Sequence, residues 1–486
     1  MPQLSFLQNE NIDFHSPESI LFHLGRIAIR SSLPAAAVRK FLLEQKLSGR
    51  ILLLSIGKAA EEMGSAAYEI VQSRIFGGMI LTKYGHSSGK KFPPLEILEA
   101  GHPIPDTNSI LGGMKIFELC SRLEPEDTVL ILLSGGGSAL MEVPAAGLDL
   151  EDLIVWNSKL LASGADIRDV NTIRILLSEI KGGGLLSKIL PSRSITLILS
   201  DVIGDDLSKV ASGPTIPATI DKDTIFRIFK QYDLLPNPKI ETVLREKTEL
   251  AAKSVKPDIK TVLLDQSQSA KHGIDSVPQD QTQPVKPPKH EADFGSQEKI
   301  DRTKNSVKID PERNAVYCIG NITLALESVE KECKNLNIPV LFLTSSLNCE
   351  AKEAGFFLGS IAKEKIRTTK SPLLILCGGE TTVTHDGSGK GGRNQELSLA
   401  FAKQISGCKG ITLFSLATDG SDGPTDAAGA IVDGTTWGKI SETTDADTAL
   451  KTHRSYEVLK QVDSLVFTGP TGTNVNDIQF LWIAPS

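Results

Sequence analysis

The stretch "HDGSGKGGRNQE" (His385–Glu396) contains Gly387-x-Gly389-x-x-Gly392, the spacing of a dinucleotide-binding turn. It also contains Lys390 and Arg393, and two cations suit a phosphate that is to be transferred. Arg393 can hold an anion through two parallel N–H bonds, which lysine cannot. Asn394 and Gln395, which follow it, join the candidate binding residues. In "SGGGS" the residues Ser134, Gly135, Gly136, Gly137 and Ser138 offer successive backbone N–H groups with no large side chains in the way. Such a loop lets backbone approach an anion, and a helix beginning there adds a favourable dipole. Lys58, directly after Gly57, is a third cation that could neutralise a phosphate or a carboxylate. Lys181, in "EIKGGG", is a further candidate, although a cation near a helix end also serves the helix dipole.

Acids stand in the same kind of place. Asp201, Asp205, Glu380, Asp419 and Asp422 each follow an apolar run. Magnesium takes one or two carboxylates together with water and phosphate oxygens, and one acid could instead accept the proton of an attacking hydroxyl. Each can equally cap a following helix. Asp419 and Asp422 are the candidate metal ligands. His102, in "GHPIPD", either lines the same cleft or is an ordinary loop residue. No Gly-x-x-x-x-Gly-Lys-Ser/Thr occurs, which disfavours a P-loop. The protein-kinase signatures and the Gly-x-Ser-x-Gly elbow of serine hydrolases are also absent.

The elements that must position these groups read as strands alternating with helices. Unbroken apolar runs lie at Ile51 to Ile56, in "GGMILTK", at Thr128 to Leu133 and at Ser194 to Ser200, with helical patterns between them, such as Lys58 to Ser73, Leu150 to Ala162 and Asp169 to Ile180. Strands without polar alternation predict a parallel sheet covered on both faces, whose ligands bind beyond the carboxyl ends of the strands. The five glycine loops, at 55–58, 134–138, 200–206, 378–382 and 418–422, all fall at such ends, which predicts one shared cleft. The fold class expected is α/β in two domains. Residues 1–264 form a Rossmann-like, mostly parallel sheet with helices on both faces, and residues 307–486 form an α/β domain with a mixed sheet, because "CGGETTVT" can turn between antiparallel strands. Between them residues 265–306 are rich in Gln, Pro, Lys and Asp. They lack the apolar content to offset ordering and read as a disordered, low-complexity insertion.

Composition excludes several classes. The chain has 486 residues, 40% hydrophobic and 23% charged, with 52 Lys+Arg against 59 Asp+Glu. That balance points to no nucleic-acid or membrane surface. Six cysteines without CxxC spacing read as mostly buried thiols in a reducing compartment. The first residues lack the features of a signal or transit peptide. The expectation is a cytoplasmic protein, with organellar import and oligomeric state left open.

Taken in order, "IGKAA", "AGHPIPD", "LILLSGGGSAL", "NTIRILLSEIKGGGL", "LILSDVIGDDLSKVASGPT", "GGETTVTHDGSGKGGRNQELSLAFA", "ATDGSDGPTDAAGAIVDG" and "TGPTGTNVND" resemble the class II glycerate kinases, whose C-terminal part is called the MOFRL domain. The resemblance runs from about Pro17 to the C-terminus, apart from the insertion. It implies ATP-dependent phosphorylation of D-glycerate, with 2-phosphoglycerate the favoured product, in a cleft between two α/β domains. It implies that the catalytic lysine and arginine are Lys58 and Arg393. ATP and Mg2+ are the expected cofactors and D-glycerate the small-molecule partner. The Ser134 to Ser138 loop would cradle anionic groups, while Asp201, Glu380, Asp419 and Asp422 would hold magnesium or orient the hydroxyl. Ile175 and Leu176 depart from the family, which usually has a basic residue after Arg174. The insertion would enter between the domains. Two alternatives are a hydroxypyruvate reductase, for which Asp419 lies farther beyond Gly392 than the ~20 residues expected, and a non-catalytic nucleotide or metabolite binder on the same fold.

Overall fold

The computed structural model describes residue 6 and residues 12–253, 260–263 and 313–485, apart from 203, 205, 220, 386 and 388. The segment expected to be a disordered insertion, 265–306, lies outside the described residues, as does Asp205.

The first layer is a sheet of seven strands: β1 (Ile51–Ile56), β2 (Ile75–Lys83), β3 (Leu95–Ala100), β4 (Thr128–Leu133), β5 (Arg193–Leu199), β6 (Lys260–Leu263) and β7 (Asn314–Gly320). Their order is β3-β2-β1-β4-β5-β7-β6 and every pairing is parallel. β1 and β4 are buried at every position, as unbroken apolar runs require. The second layer comprises β8 (Val340–Leu347), β9 (Leu373–Gly379), β10 (Ile411–Ala417), β11 (Gly429–Asp433), β12 (Leu465–Val466) and β13 (Asp477–Ile483). Its order is β12-β11-β10-β13-β9-β8, with only β8 and β9 parallel among the pairs. The mixed sheet is therefore present, but not through "CGGETTVT". After β9 the chain makes only an isolated parallel bridge, Thr382 to Glu350, and the antiparallel partner of β9 is β13.

The boundary between layers also falls later than residue 307. The apolar run of β7 continues the first sheet beside β5. β6 and β7, which precede and follow residues 264–312 in the chain, are neighbouring parallel strands at one edge of that sheet.

Two helices join the layers, α1 (Pro17–Ser31) and α11 (Ile322–Asn335). Ser16 caps α1 by accepting from Ser19 N, with Pro17 in the first turn. A new helix begins at Pro34. Phe22 of α1 meets Phe414 of β10 edge-on at 5.4 Å. A single apolar core runs from Leu53 and Leu130 in the first sheet, through Leu24 and Leu326 on the two helices, to Phe414 and Phe480 in the second. No helix among the described residues is long and apolar enough to cross a membrane.

Candidate active site

The carboxyl ends of β1, β4 and β5 open toward those of β9 and β10. Between them lies a cleft of about 990 Å3, lined from the first layer by Gly135, Gly136, Ser138 and Asp201 and from the second by Glu380 and Arg393. β9 and β10 flank the antiparallel β13, so Asp477, its first residue, pairs with both Gly379 and Ala417. The strand ends of the second sheet thus converge on one carboxylate. Across the layers, Asn476 donates through Nδ2 to the carbonyl of Asp201 at 2.9 Å, which ties the two halves of the cleft.

Arg393 begins α13 (Arg393–Gln404). Its Nε and Nη2 donate to Asp477 at 2.5 and 3.1 Å, and Nη1 donates to Glu380 at 2.6 Å. Burial disfavours its charge, but the hydrogen bonds and opposite charges of Asp477, Glu380 and Asp422 outweigh that and raise its pKa. It is a fixed cation at the cleft wall. On the opposite side the Lys58 N–H donates to the carbonyl of Gly135 at 2.9 Å, so the loops after β1 and β4 lie against each other. Ser134 is consumed by that contact, its Oγ accepting from Ala59 N at 3.1 Å. A Cβ on Gly135 would lie 2.2 Å from Asp201 Oδ2, and one on Gly136 3.3 Å from Lys58 Cγ. Only glycine admits the Asp201 carboxylate over the loop and the Lys58 stem beside it. Burial pushes the Asp201 carboxyl up, Lys58 draws it down and Glu380 raises it further. The charge of Glu380 is therefore felt at Asp201 across the cleft.

Beyond this group, a Cβ on Gly137 would lie 2.8 Å from the Ala211 Cβ. Ser138 Oγ meets Ser212 Oγ at 2.9 Å, and Ser212 in turn donates to Asn171 Oδ1 at 3.1 Å. His102 lies against Gly136. Its pKa is pushed down to about 4 by burial and by the cations Lys58, Lys83 and Arg174 together with His86, so the ring is neutral at pH 7.

Several expected site residues do other work. Lys181 does not line the cleft; it is buried in an ion pair with Glu142, and Ser178 also donates to that carboxylate. The preceding helix α7 (Ile167–Leu176) stops short of it, so it is not a helix-end cation. Asp422 is not placed to bind a metal. Only 1% exposed, it accepts from the backbone N–H groups of Asn394 at 3.1 Å and Gln395 at 2.9 Å, capping α13. Burial raises its carboxyl pKa while these donors pull it back. Asp419 lies outside the cleft lining, its Oδ1 accepting from Ser421 N at 3.0 Å. Asn394 and Gln395 are also buried away from the cleft. The Asn394 side chain bonds Asp422 and Ser415, and the Gln395 side chain bonds Thr425. A protein carboxylate already fills the anion site that the helix N-terminus would offer.

The same holds for three glycines of the opening stretch, while Gly387 has open space around it. A Cβ on Gly389 would meet the carbonyl of Thr452 at 2.1 Å, on Gly391 the Ser455 hydroxyl at 2.1 Å, and on Gly392 Asp422 at 2.2 Å. Their close approach is to neighbouring chain. Asp477, Asn171, Arg174, Lys209 and the pair His385 and His453 were not singled out as site residues from sequence; all but Asp477 line the cleft. Asp477 stands in the quoted "TNVND" immediately before an apolar run, which was its one signal. His453 is oriented by Glu396, 2.7 Å from Nδ1, a pairing between residues far apart in the chain. Ile175 and Leu176 do not line the cleft: Ile175 packs against Gly182, and Leu176 joins the core with Trp156. Among the described residues no three His, Cys, Asp or Glu side chains are grouped as a metal centre.

Residues 373–477 match the model of the MOFRL family, and residues 21–245 match a domain of unknown function, DUF4147. The chain is 36% identical to a D-glycerate 2-kinase of Thermotoga maritima, covering 96% of this chain and 98% of that one. It is 38% identical to a glycerate 2-kinase of Pyrococcus horikoshii, covering 90% and 88%, and 33% identical to a putative hydroxypyruvate reductase of Agrobacterium vitis, covering 90% and 100%. The crystal structure of a glycerate kinase from Thermotoga maritima superposes with a TM-score of 0.79 at 36% identity, over 96% of this chain and all of that one. The chain belongs to the class II glycerate kinase family.

Proposed function

We propose that this chain transfers the γ-phosphoryl group of ATP to the 2-hydroxyl of D-glycerate in the cleft between its two sheets. The observation that carries this is the meeting of two walls of opposite design. The second layer presents Arg393 clamped by Asp477 and Glu380, and the first presents the Gly135–Gly136 backbone with Lys58 and Asp201 beside it. Phosphoryl transfer needs little covalent chemistry from the protein. It needs the reactants aligned and the charge on the equatorial oxygens neutralised. Arg393, held by fixed acids, can meet that charge without reorganising. Lys58, on the facing loop, can meet it from the other side.

Magnesium fits the pair Asp201 and Glu380 better than Asp419 and Asp422. The first two line the same cleft, while both oxygens of Asp422 are occupied by backbone donors. Two carboxylates suffice for an ion that keeps water and phosphate oxygens as its other ligands. Bound there, the ion would screen charge between the donor phosphates.

The likeness to the Agrobacterium vitis protein, named for hydroxypyruvate reduction, does not find support in the glycine loop, where Gly389 and Gly392 of the dinucleotide spacing pack on the protein itself. The deciding experiment is incubation with ATP, magnesium and D-glycerate, with phosphorus NMR of the product. The expected signal is 2-phosphoglycerate. No phosphorylated product, together with NADH oxidation on hydroxypyruvate, would overturn the proposal.

A further inference from the structure

Among the described residues, the Lys and Arg side chains that line the cleft itself are Arg168, Arg174, Lys209 and Arg393, and all but Arg174 have an acid within ion-pair distance; Lys58, beside the cleft, is exposed to solvent. Arg393 has Asp477 and Glu380, Arg168 has Asp166, and Lys209 has Asp206. Arg174 has only a neutral partner: its Nε donates to Asn157 Oδ1 at 2.9 Å. Among the described residues nothing takes its Nη groups. Asn157 is itself 7% exposed and held by its Nδ2 donating to Leu153 O at 2.9 Å. It sits on α6 (Leu150–Ala162) and reaches across to α7. Arg174 and Asn171, three residues apart on α7, share one face of that helix and both line the cleft. The acid that most affects Arg174, Glu142, is already paired with Lys181 in the interior.

Burial of a guanidinium without a countercharge is unfavourable, and its pKa is accordingly lowered. Such a group is retained where a ligand supplies the missing charge. We infer that Arg174, anchored by Asn157, grips the carboxylate of the acceptor, so that this wall selects a 2-hydroxy acid over a neutral polyol. This rests on the reading of the chain as a kinase of glycerate. A carboxylate matches the planar fork of arginine. Neither Asp201 nor Glu380, the acids offered to magnesium, is among the charges that act on Arg174, which keeps it apart from the metal-bound phosphates. Asn157 is a positioning residue, acting through Arg174.

The test is steady-state kinetics of wild type, Arg174→Gln and Asn157→Asp, with calorimetric binding of D-glycerate alone. Losing a charged, two-pronged hydrogen bond predicts a rise in the KM for D-glycerate of roughly 10- to 100-fold in Arg174→Gln, with the KM for ATP unchanged. D-Glyceramide, which has no carboxylate, should be used equally by both proteins. Asn157→Asp keeps Arg174 but supplies an internal countercharge, so the KM for D-glycerate should rise while kcat holds. An unchanged KM for D-glycerate in Arg174→Gln sinks the inference, as does a rise confined to ATP, which would put the donor phosphates on Arg174. Failure of the wild type to phosphorylate D-glycerate would instead sink the kinase reading. The calorimetric comparison then still decides whether Arg174 holds the acid.

Discussion

Replacing Asp422 with alanine is expected to loosen the second layer and to leave the magnesium requirement alone. The carboxylate accepts from Asn394 N, Gln395 N and Asn394 Nδ2 at 3.1, 2.9 and 3.3 Å, and it is 1% exposed. Alanine strands two N–H groups of the first helical turn and one amide in a site that water does not reach. Each stranded donor costs about 1–3 kcal/mol. Part is returned because a buried carboxylate, whose pKa burial raises, no longer has to be desolvated. The net loss is about 3 kcal/mol. For a unit the size of the second layer that is roughly 6–12 °C in melting temperature. Arg393 is the first residue of the helix so loosened, and turnover should fall with it. The assay is thermal melting followed by circular dichroism, with activity titrated against magnesium. If the variant melts with the wild type and needs at least ~10-fold more magnesium for half-activity, Asp422 is a metal ligand and the capping argument fails.

Three further outcomes follow from the same geometry. Lys58→Ala and Arg393→Ala should each cut kcat at least ~100-fold, the scale of one lost electrostatic stabiliser, and Arg393→Lys should not restore it, because lysine cannot span Asp477 and Glu380 together; near-normal turnover in any of them would remove that residue from the mechanism. His102 is held at a pKa of about 4, below the ordinary ~6.5. The unfolded chain therefore binds the extra proton first, and stability should be full above about pH 6.5, fall between there and 4, and level off below. After discounting for the solvent that reaches the ring, the loss is about 1–2 kcal/mol, and His102→Gln should flatten that part of a stability-versus-pH curve measured by urea unfolding. Lys181→Met alone strands Glu142 in the interior and should cost about 3–5 kcal/mol, whereas Lys181→Met with Glu142→Leu should recover most of it. Equal losses in the single and double variants would show that the pair matters for more than mutual neutralisation.

The strands and the cleft were legible because their signals are local. An unbroken apolar run ending in a glycine loop identifies a parallel strand and the end at which ligands bind. Ile51–Ile56 and Thr128–Leu133 were placed to the residue. The layer to which β7 belongs was not legible, since nothing in "NAVYCIG" says that its hydrogen-bonding partner is β5 rather than a strand that follows. Lys58, Gly135, Gly136, Asp201, Glu380 and Arg393 could be chosen because residue type and strand end agreed. Asp422 met the same two criteria and turned out to be a cap. Type and position cannot separate a carboxylate that faces a ligand from one that faces the first turn of a helix arriving from elsewhere in the chain. Arg174 is the opposite case. It sits mid-pattern in an amphipathic helix, and its significance lies in what is absent around it, which only the assembled structure shows.

That contrast bears on how charge is divided in the cleft. A cation clamped by two acids, as Arg393 is, keeps its place and its charge whether or not ligand is bound, and so suits charge that appears only as the phosphoryl group moves. A cation left with a neutral anchor, as Arg174 is, carries its unmet charge in the free protein and recovers that cost when an anion arrives, and so suits binding of the ground state. The two arginines should therefore separate in kinetics, Arg393 acting on kcat and Arg174 on the KM of the acceptor. The shared apolar core and the Asn476 bond to the Asp201 carbonyl hold the two walls in one register. Lengthening or weakening either wall's charge should then be felt on its own side of the cleft, and the Arg174→Gln and Arg393→Ala effects on kcat/KM should be close to additive in the double variant.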